Sequence, residues 1–513
     1  MLLNDVKNIL KDKRLHLSLI ATYIIGLVAH GYCYFNLLYS HDSMIVYQDN
    51  EYAWQISLGR FIAPLYCKIR GSIYAPALVG FLSLLFIALS VYIIVNLLDF
   101  KSKIQIVLVS AVMTTGVTVT LLNATYFKDV DIYMFSMLCA LFGAYLINKY
   151  KFGFIVAPIF FVISLGGYQA QLQIAVFVIM ILILDNILTG KETKIIIHRI
   201  SKNLISLFLG LILYYLVTNV VLKITGIAME SNSYNGLSKV GNYGSLGNIK
   251  DSICAVYIRV ASYFTKNATS AISTRLIMCI NIAIFLIMFI SLIIVILKKR
   301  VKGCNLVILI VLVLSMPFGI NFVCFISQGL QHTLMMQSFV LVYVLALFIS
   351  NYVVSLNIRP TNNKLIKFMI PAFIVMLTFN NVVYSNQTYV YKTLVIQNTE
   401  ITFTRILDRV EQTDGYVVGE TPVAIIGKLD ITNGYRFATE QTGLNSGDYA
   451  TTYYKTYVRF INNYLSYPMN ILPQEKADEL ATQSYIENMT AFPAKDSVQM
   501  VDGTLIIKLS DVE

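Results

Sequence analysis

A series of long apolar segments, separated by short loops of alternating charge, constrains this chain more than any other feature. A helix needs roughly 20 apolar residues to cross a hydrocarbon core of ~30 Å. The eleven apolar segments are 15–36, 73–98, 104–123, 130–147, 152–166, 168–188, 203–223, 272–297, 304–326, 332–354 and 366–384. The sequence therefore predicts an α-helical polytopic membrane protein with about eleven transmembrane helices. The fifth segment is short and contains Pro158, so it is either a full crossing or a re-entrant element paired with the sixth.

Lysine and arginine are concentrated in every second loop of this series. The residues are Lys101 and Lys103; Lys149 and Lys151; Lys191, Lys194, Arg199 and Lys202; Lys298, Lys299, Arg300 and Lys302; and Arg359, Lys364 and Lys367. Short basic loops remain on the cytoplasmic side of a membrane. We therefore predict a cytoplasmic amino terminus, and an odd number of spans places the carboxyl-terminal segment outside.

The composition excludes several other classes of protein. The chain is 57% hydrophobic and only 13% charged, as membrane proteins are. Its net charge of +11 divides into +17 for residues 1–384 and −6 for residues 385–513. The basic excess is thus a topology signal, and nucleic-acid binding is excluded. The seven cysteines form no CxxC, and neither an HExxH nor a P-loop is present, which leaves zinc binding and ATP hydrolysis without support.

The same pattern divides the chain into two predicted domains. Residues 1–384 form a transmembrane domain whose outward loops are 37–72, 124–129 and 224–271, and residues 385–513 form a small extracytoplasmic α/β domain. Within the second domain, 401–412 and 475–488 have helical periodicity, YVVG and TPVAIIG predict strands, and 497–510 predicts a hairpin that turns at Asp502-Gly503. The long loop 224–271 is predicted to be a lid or a binding loop, and the alternative is a flexible connection that binds nothing.

The first outward loop carries three carboxylates, Asp42, Asp49 and Glu51, close to the end of the first span. From Glu51 the apolar residues recur at helical spacing up to Gly71, with Arg60 between them, which predicts an amphipathic helix on the membrane surface. Each carboxylate is either an ordinary solvated loop acid or a general base that accepts a proton from a hydroxyl. Asp42 is the leading candidate because it follows the first span directly.

The next two outward turns add further polar groups. Lys128, Asp129 and Asp131 lie at the start of the fourth span, where an acid is expensive unless it is paired or solvated. Two interpretations are open. Lys128 neutralises Asp129, or one of the two aspartates is a second catalytic carboxylate. Tyr168 and Gln169 follow Gly166-Gly167, and they suit either sugar hydroxyls or simple hydrogen bonding at a helix end.

Ionisable residues are scarce in the middle of the spans, where His30 is the exception. Coupled transporters place charged residues near the bilayer midplane. The distribution therefore argues against a coupled transporter and favours chemistry on the outer face.

Four motifs together resemble the bacterial membrane glucosyltransferases of the type II Gtr family, which modify O-antigen and related surface glycans. They are HDS…GRFIAPL in the first outward loop, YFKDVD at the fourth span, GGYQAQ at the sixth, and the final DGTLIIKLS. The family is similar to GT-C glycosyltransferases, which have many spans, a catalytic acid in the first outward loop and a polyprenyl-phosphate sugar as donor. The first loop here reads HDS and lacks the paired DD common in GT-C proteins.

The resemblance implies transfer of a hexose, glucose in this family, from a polyprenyl phosphate to a surface glycan outside the bacterial inner membrane. It places Asp42 in the catalytic role, with Asp129 or Asp131 as a second acid. Asp49, Glu51, Arg60, Lys128, Tyr168 and Gln169 become candidate substrate-binding residues. A divalent metal ion, Mg or Mn, is used by many GT-C enzymes, and this sequence leaves its presence open. The alternatives are a flippase or exporter of lipid-linked sugars and a surface-polysaccharide polymerase or ligase.

Overall fold

The computed structural model describes residues 2–40, 51–71, 75–230, 243–266, 271–356, 360–429 and 454–511. The helices up to the tail are, in chain order, α1 (Leu2–Lys11), α2 (Lys13–Phe35), α3 (Glu51–Ser57), α4 (Ile62–Arg70), α5 (Pro76–Leu97), α6 (Lys103–Thr115), α7 (Val117–Thr125), α8 (Val130–Lys149), α9 (Gly153–Gly167), α10 (Leu172–Leu188), α11 (Thr193–Thr225), α12 (Leu246–Phe264), α13 (Thr274–Lys299), α14 (Gly303–Ile320), α15 (Phe322–Ile326), α16 (Leu341–Ser355) and α17 (Pro360–Glu411).

Among the described residues, ten helices are long and apolar enough to cross a membrane when α6 and α7 are counted as one, Lys103–Thr125, and α9 is a shorter apolar helix. Each of the eleven predicted segments corresponds to one of these helices, so the predicted fold class is confirmed. The fifth segment, α9, has 15 residues and is about 22 Å long at ~1.5 Å per residue. It packs against α8 and α11.

Three predicted boundaries differ most from the structure. The eleventh span, predicted to end at 384, belongs to α17, which continues to Glu411 and so includes most of the helix predicted over 401–412. The seventh span begins at Thr193 and not at 203, because the basic residues before it continue the same helix for three turns. The ninth span ends at Ile320 and not at 326, since Asn321 leaves the helical conformation and the chain restarts as α15.

Glycines allow close approach of the helices around α9. A side chain at Gly143 of α8 or Gly210 of α11 would collide with the ring of Phe161. Small residues at such contacts let membrane helices pack without a hydrophobic driving force between them. The ring of Phe161 therefore fixes α9 against both neighbours.

Contacts divide the described chain into two compact units. The first comprises 2–35, 51–123 and 129–386, and the second comprises residues from 387 onward together with short stretches at 36–40 and 124–128. The second unit contains a four-stranded mixed sheet of β1 (Pro422–Ile426), β2 (Asn470–Ile471), β3 (Val498–Val501) and β4 (Thr504–Lys508), in the order β2-β1-β4-β3.

The sheet confirms part of the prediction for the tail. β1 pairs in parallel with β2 and β4, and β3 and β4 form the predicted hairpin. Its turn residues Asp502 and Gly503 both have positive φ angles, of 46° and 77°, as a two-residue hairpin turn requires. Ala424 and Ile506 pack with Ala477 in the small apolar core beneath.

Two elements of the tail were predicted wrongly. YVVG is a turn and not a strand, because Gly415 and Gly419 take positive φ angles of 81° and 77° at its two ends. The backbone N–H of Val417 donates to Thr421 Oγ1 at 2.8 Å, which closes the turn. The helix predicted over 475–488 is divided into Gln474–Ala481 and Ser484–Glu487.

Candidate active site

Two of the candidate acids, Asp42 and Asp49, lie outside the described residues. Glu51 is the first residue of α3. The structure therefore gives geometry for the later part of the first outward loop, and for the turns that precede α8 and α10.

The predicted surface helix is two helices, α3 and α4, and not one. The break is at Gly59, whose φ angle of 76° is in the left-handed region that favours glycine. The hydroxyl of Tyr214 on α11 donates to the carbonyl of Gly59 at 3.2 Å. A Cβ atom at Gly59 would lie 2.5 Å from that hydroxyl oxygen, so both conformation and space require glycine here.

Three predicted substrate-binding residues meet at this break. The Arg60 guanidinium lies 4.9 Å from the centre of the Tyr168 ring, a cation–π arrangement. Arg60 Nε also donates to Gln169 Oε1 at 3.3 Å. Gln169 Nε2 in turn donates to the carbonyl of Leu58 at 2.7 Å. The structure thus brings Arg60, Tyr168 and Gln169 together.

The hydrogen bonds of Gln169 assign it a structural role in this loop. Its amide oxygen accepts from Arg60, and its amide nitrogen donates to Leu58 and to the Tyr214 hydroxyl at 3.1 Å. The neighbouring amides also bond to protein: Gln171 to Gln337 at 2.8 Å and Gln173 to the carbonyl of Met335 at 3.0 Å. These bonds match the helix-end interpretation of the polar turn before α10, and sugar binding by Tyr168 and Gln169 stays a prediction.

Asp131, in the first turn of α8, is completely buried and is bonded to α4. Its Oδ2 accepts from the Tyr66 hydroxyl at 2.9 Å and lies 3.3 Å from Arg70 Nε. Its Oδ1 accepts from the backbone N–H of Ile132 at 3.0 Å. We refer to Tyr66, Arg70 and Asp131 as the lip triad. A buried charge needs such partners, because removing it from water carries a penalty of several kcal/mol.

The pKa values of the α4 side chains reflect this burial and charge. Burial lowers the pKa of Arg70, but Asp131, Cys67 and Asp129 together raise it more than burial lowers it, so the net shift is upward and Arg70 stays protonated. Burial, followed by the charge of Asp129, raises the pKa of the Cys67 thiol to about 11. Cys67 is therefore a neutral thiol at physiological pH and not a nucleophile.

Asp129 and Lys128 lie in the single turn Phe127–Asp129 that precedes α8. Their side chains are only 7% and 4% exposed, respectively. Gln55 Nε2 of α3 donates to Asp129 Oδ2 at 3.3 Å. The two aspartates at the start of α8 are thus linked to the helices of the first loop. Asp129 is linked to α3 and Asp131 to α4.

A divalent metal was left open by the sequence. Among the described residues, no group of three or more His, Cys, Asp or Glu side chains is arranged to hold one. Asp42 and Asp49 lie outside the described residues, and a metal is assigned no step in the proposed reaction.

Sequence reasoning missed Gln55, Tyr66 and Arg70. A signal for the last two was present, because Tyr66 and Arg70 are four residues apart on an amphipathic helix and so share one face. An acid in the first turn of an apolar span also demands a partner.

The fold is that of a polytopic membrane protein. In the described residues, the Arg70–Asp131 ion pair and the Gln55–Asp129 hydrogen bond lie at helix ends. The family model for glucosyl transferase GtrII matches residues 31–351, more than half of the chain. The chain belongs to this family and is a membrane glucosyltransferase, which confirms the resemblance seen in the sequence motifs. No curated protein and no solved structure matches the chain.

Proposed function

We propose that the protein transfers glucose from a polyprenyl phosphate to a hydroxyl of a surface glycan such as O-antigen, on the extracytoplasmic face of the bacterial inner membrane. Membership of the GtrII family supports the sugar and the reaction type. The alternation of basic loops supports the side of the membrane. The observation that carries the proposal is the set of polar residues that converge from α3, α4 and α8 at the predicted outer ends of the spans.

In the proposed step, an acceptor hydroxyl oxygen attacks C1 of the donor sugar. The bond from C1 to the phosphate oxygen breaks, and polyprenyl phosphate leaves with the bonding electron pair. A carboxylate takes the hydroxyl proton, and we assign that role to Asp42. The next spans supply a second acid, Asp129 or Asp131.

The contacts of these two aspartates support different roles for them. Two hydrogen-bond donors and the paired Arg70 guanidinium already contact the carboxylate oxygens of Asp131, so a further proton acceptor role there would require breaking the lip triad. We therefore assign Asp131 to positioning α4 against α8. Asp129, held by Gln55, is the better second acid.

A departing phosphate requires positive charge nearby. We assign this to Arg60, which is partly exposed beside the Tyr168 ring, and to Lys128, which is next to Asp129 in the chain. Asp49 and Glu51 are proposed to hold sugar hydroxyls. The tail is proposed to lie outside the membrane and to select the acceptor.

The test is an assay with inverted and right-side-out membrane vesicles containing the protein and labelled polyprenyl-phosphate glucose. Transfer should require the outer face to be accessible. Removing a general base typically costs 10²–10⁴-fold in rate, so Asp42→Asn should lose transfer while its abundance stays normal. Asp49→Asn is the matched control in the same loop and should lose less.

Two results would contradict parts of the proposal. If a nucleotide-activated glucose supported transfer and the polyprenyl donor did not, the donor assignment would be wrong. If Asp42→Asn transferred at the wild-type rate, the base would be another residue, with Asp129 the next to test.

A further inference from the structure

A cavity lies at the opposite ends of the spans, where α8 ends and α9 and α11 begin. Its volume is about 230 Å³, several times the ~30 Å³ that one water molecule occupies in the liquid. Five of its lining residues are basic or can become so: Lys149, Lys151, His198, Arg199 and Lys202. Four neutral residues complete the lining, which contains no acidic side chain among the described residues.

The cavity is shaped by one lysine that connects two helices. Lys202 of α11 donates from Nζ to the carbonyls of Ile147 at 2.9 Å and Tyr150 at 3.1 Å. These carbonyls belong to the last turn of α8 and to the residue that follows it. Because an ammonium group has three donors, this arrangement leaves one donor of Lys202 for another acceptor.

The other cationic groups at the cavity are not neutralised by carboxylates. Arg199 Nη1 donates to the amide oxygen of Asn186 at 2.6 Å, a neutral partner. In the part of the chain that the structure describes, the salt bridges involve none of the five basic residues of this cavity. Lys149 and Lys151 are exposed on its rim.

The aromatic residues on either side of Lys151 indicate the depth of the cavity in the membrane. Tyr150 and Phe152 are 37% and 64% exposed. Aromatic side chains at span ends lie at the level of the lipid headgroups. A basic cavity between helices at this level has the chemistry to receive a phosphate group.

We propose that this cavity binds a phosphate group, carried by an anionic phospholipid headgroup or by a free phosphate compound. The site is separate from the lip triad, since it lies at the other end of α8. The proposal does not depend on the donor, the acceptor or the catalytic residues assigned above.

The first test compares lipids retained by the purified full-length protein in detergent, measured by native mass spectrometry. Phosphatidylglycerol should be retained in preference to zwitterionic phosphatidylcholine. Juxtamembrane basic residues contribute about 1 kcal/mol each toward anionic lipid. The double variant Lys149→Gln/Lys151→Gln should therefore retain phosphatidylglycerol on the order of thirtyfold less well.

The control is Lys298→Gln/Lys299→Gln, which removes the same charge from exposed positions in the last turn of α13, outside the cavity. It should leave retention unchanged. Equal losses in both double variants, or no loss in either, would overturn the proposal, because general attraction between basic loops and anionic lipid would then suffice.

A second measurement needs no variant. Modification of histidine by diethyl pyrocarbonate should slow at His198 when phosphatidylglycerol is added, and it should not slow at His16, which is also exposed. The modification of His198 is also measured with inorganic phosphate in lipid-free micelles. Protection by phosphate identifies a free phosphate compound as a ligand, protection only by the lipid identifies a headgroup, and protection by neither overturns the proposal.

Discussion

The ion pair between Arg70 and Asp131 is the contact in the site whose loss has the most readily calculated consequence. The Arg70 side chain is 6% exposed and that of Asp131 is 0% exposed, so solvent screens the pair little. Removing one partner of a buried pair typically costs about 3–5 kcal/mol, because the other charge is left in a low-dielectric site. Arg70→Met and Asp131→Asn should each destabilise the protein by about this amount.

The double variant Arg70→Met/Asp131→Asn removes both charges at once. Replacing a whole buried pair by uncharged groups is often close to neutral, and the Tyr66 hydroxyl still has an amide oxygen to donate to. We therefore expect the double variant to be more stable than either single variant. This non-additivity is the signature of direct coupling.

The assay is unfolding of the purified protein in mixed micelles, with membrane abundance measured in parallel. Lys101→Met is the matched control, because Lys101 pairs with Asp99 at 3.1 Å while both side chains are well exposed, at 81% and 65%. Loss of that pair should hardly change stability. Wild-type stability in Arg70→Met, or a double variant as unstable as the sum of its parts, would refute the assignment of a buried, coupled pair.

Three further predictions concern the loop, the topology and the tail. Gly59→Ala should destabilise more than Gly190→Ala in thermal unfolding, because both glycines have a φ angle of 76° but only at Gly59 would the new methyl group meet Tyr214; equal losses would remove the steric argument. A reporter fused after Lys392 should behave as external, and cytoplasmic behaviour would exclude an odd number of spans. Deletion of 413–513 should impair transfer to a long glycan more than hydrolysis of the donor, and complete loss of hydrolysis would count against a role in acceptor selection.

The membrane-spanning part of the fold could be predicted because the bilayer imposes a length and a composition on each crossing. This is why all eleven segments correspond to helices in the structure. The tail was harder, since no bilayer constrains it. The valines of YVVG favour a strand, but Gly415 and Gly419 allow the turn that forms instead.

The site was only partly predictable for a different reason. Acids at span ends can be recognised from sequence because their burial is expensive. Their partners depend on long-range packing, and Tyr66 is 65 residues away from Asp131 in the chain. Arg60, the cation chosen from the sequence, contacts Tyr168 and Gln169, and Arg70 is the one that pairs with Asp131.

The contacts at the predicted outer ends of the spans share one physical consequence. The lip triad joins α4 to α8, Gln55 joins α3 to Asp129, and Tyr214 holds the break at Gly59. Both helices that follow the acidic stretch of the first outward loop are therefore fixed to the bundle by buried polar bonds. Such bonds are costly to break, because each leaves a polar group without its partner away from water. The proposed presentation of a carboxylate to a membrane-held donor would benefit from this rigidity, since catalysis depends on positioning the reacting groups.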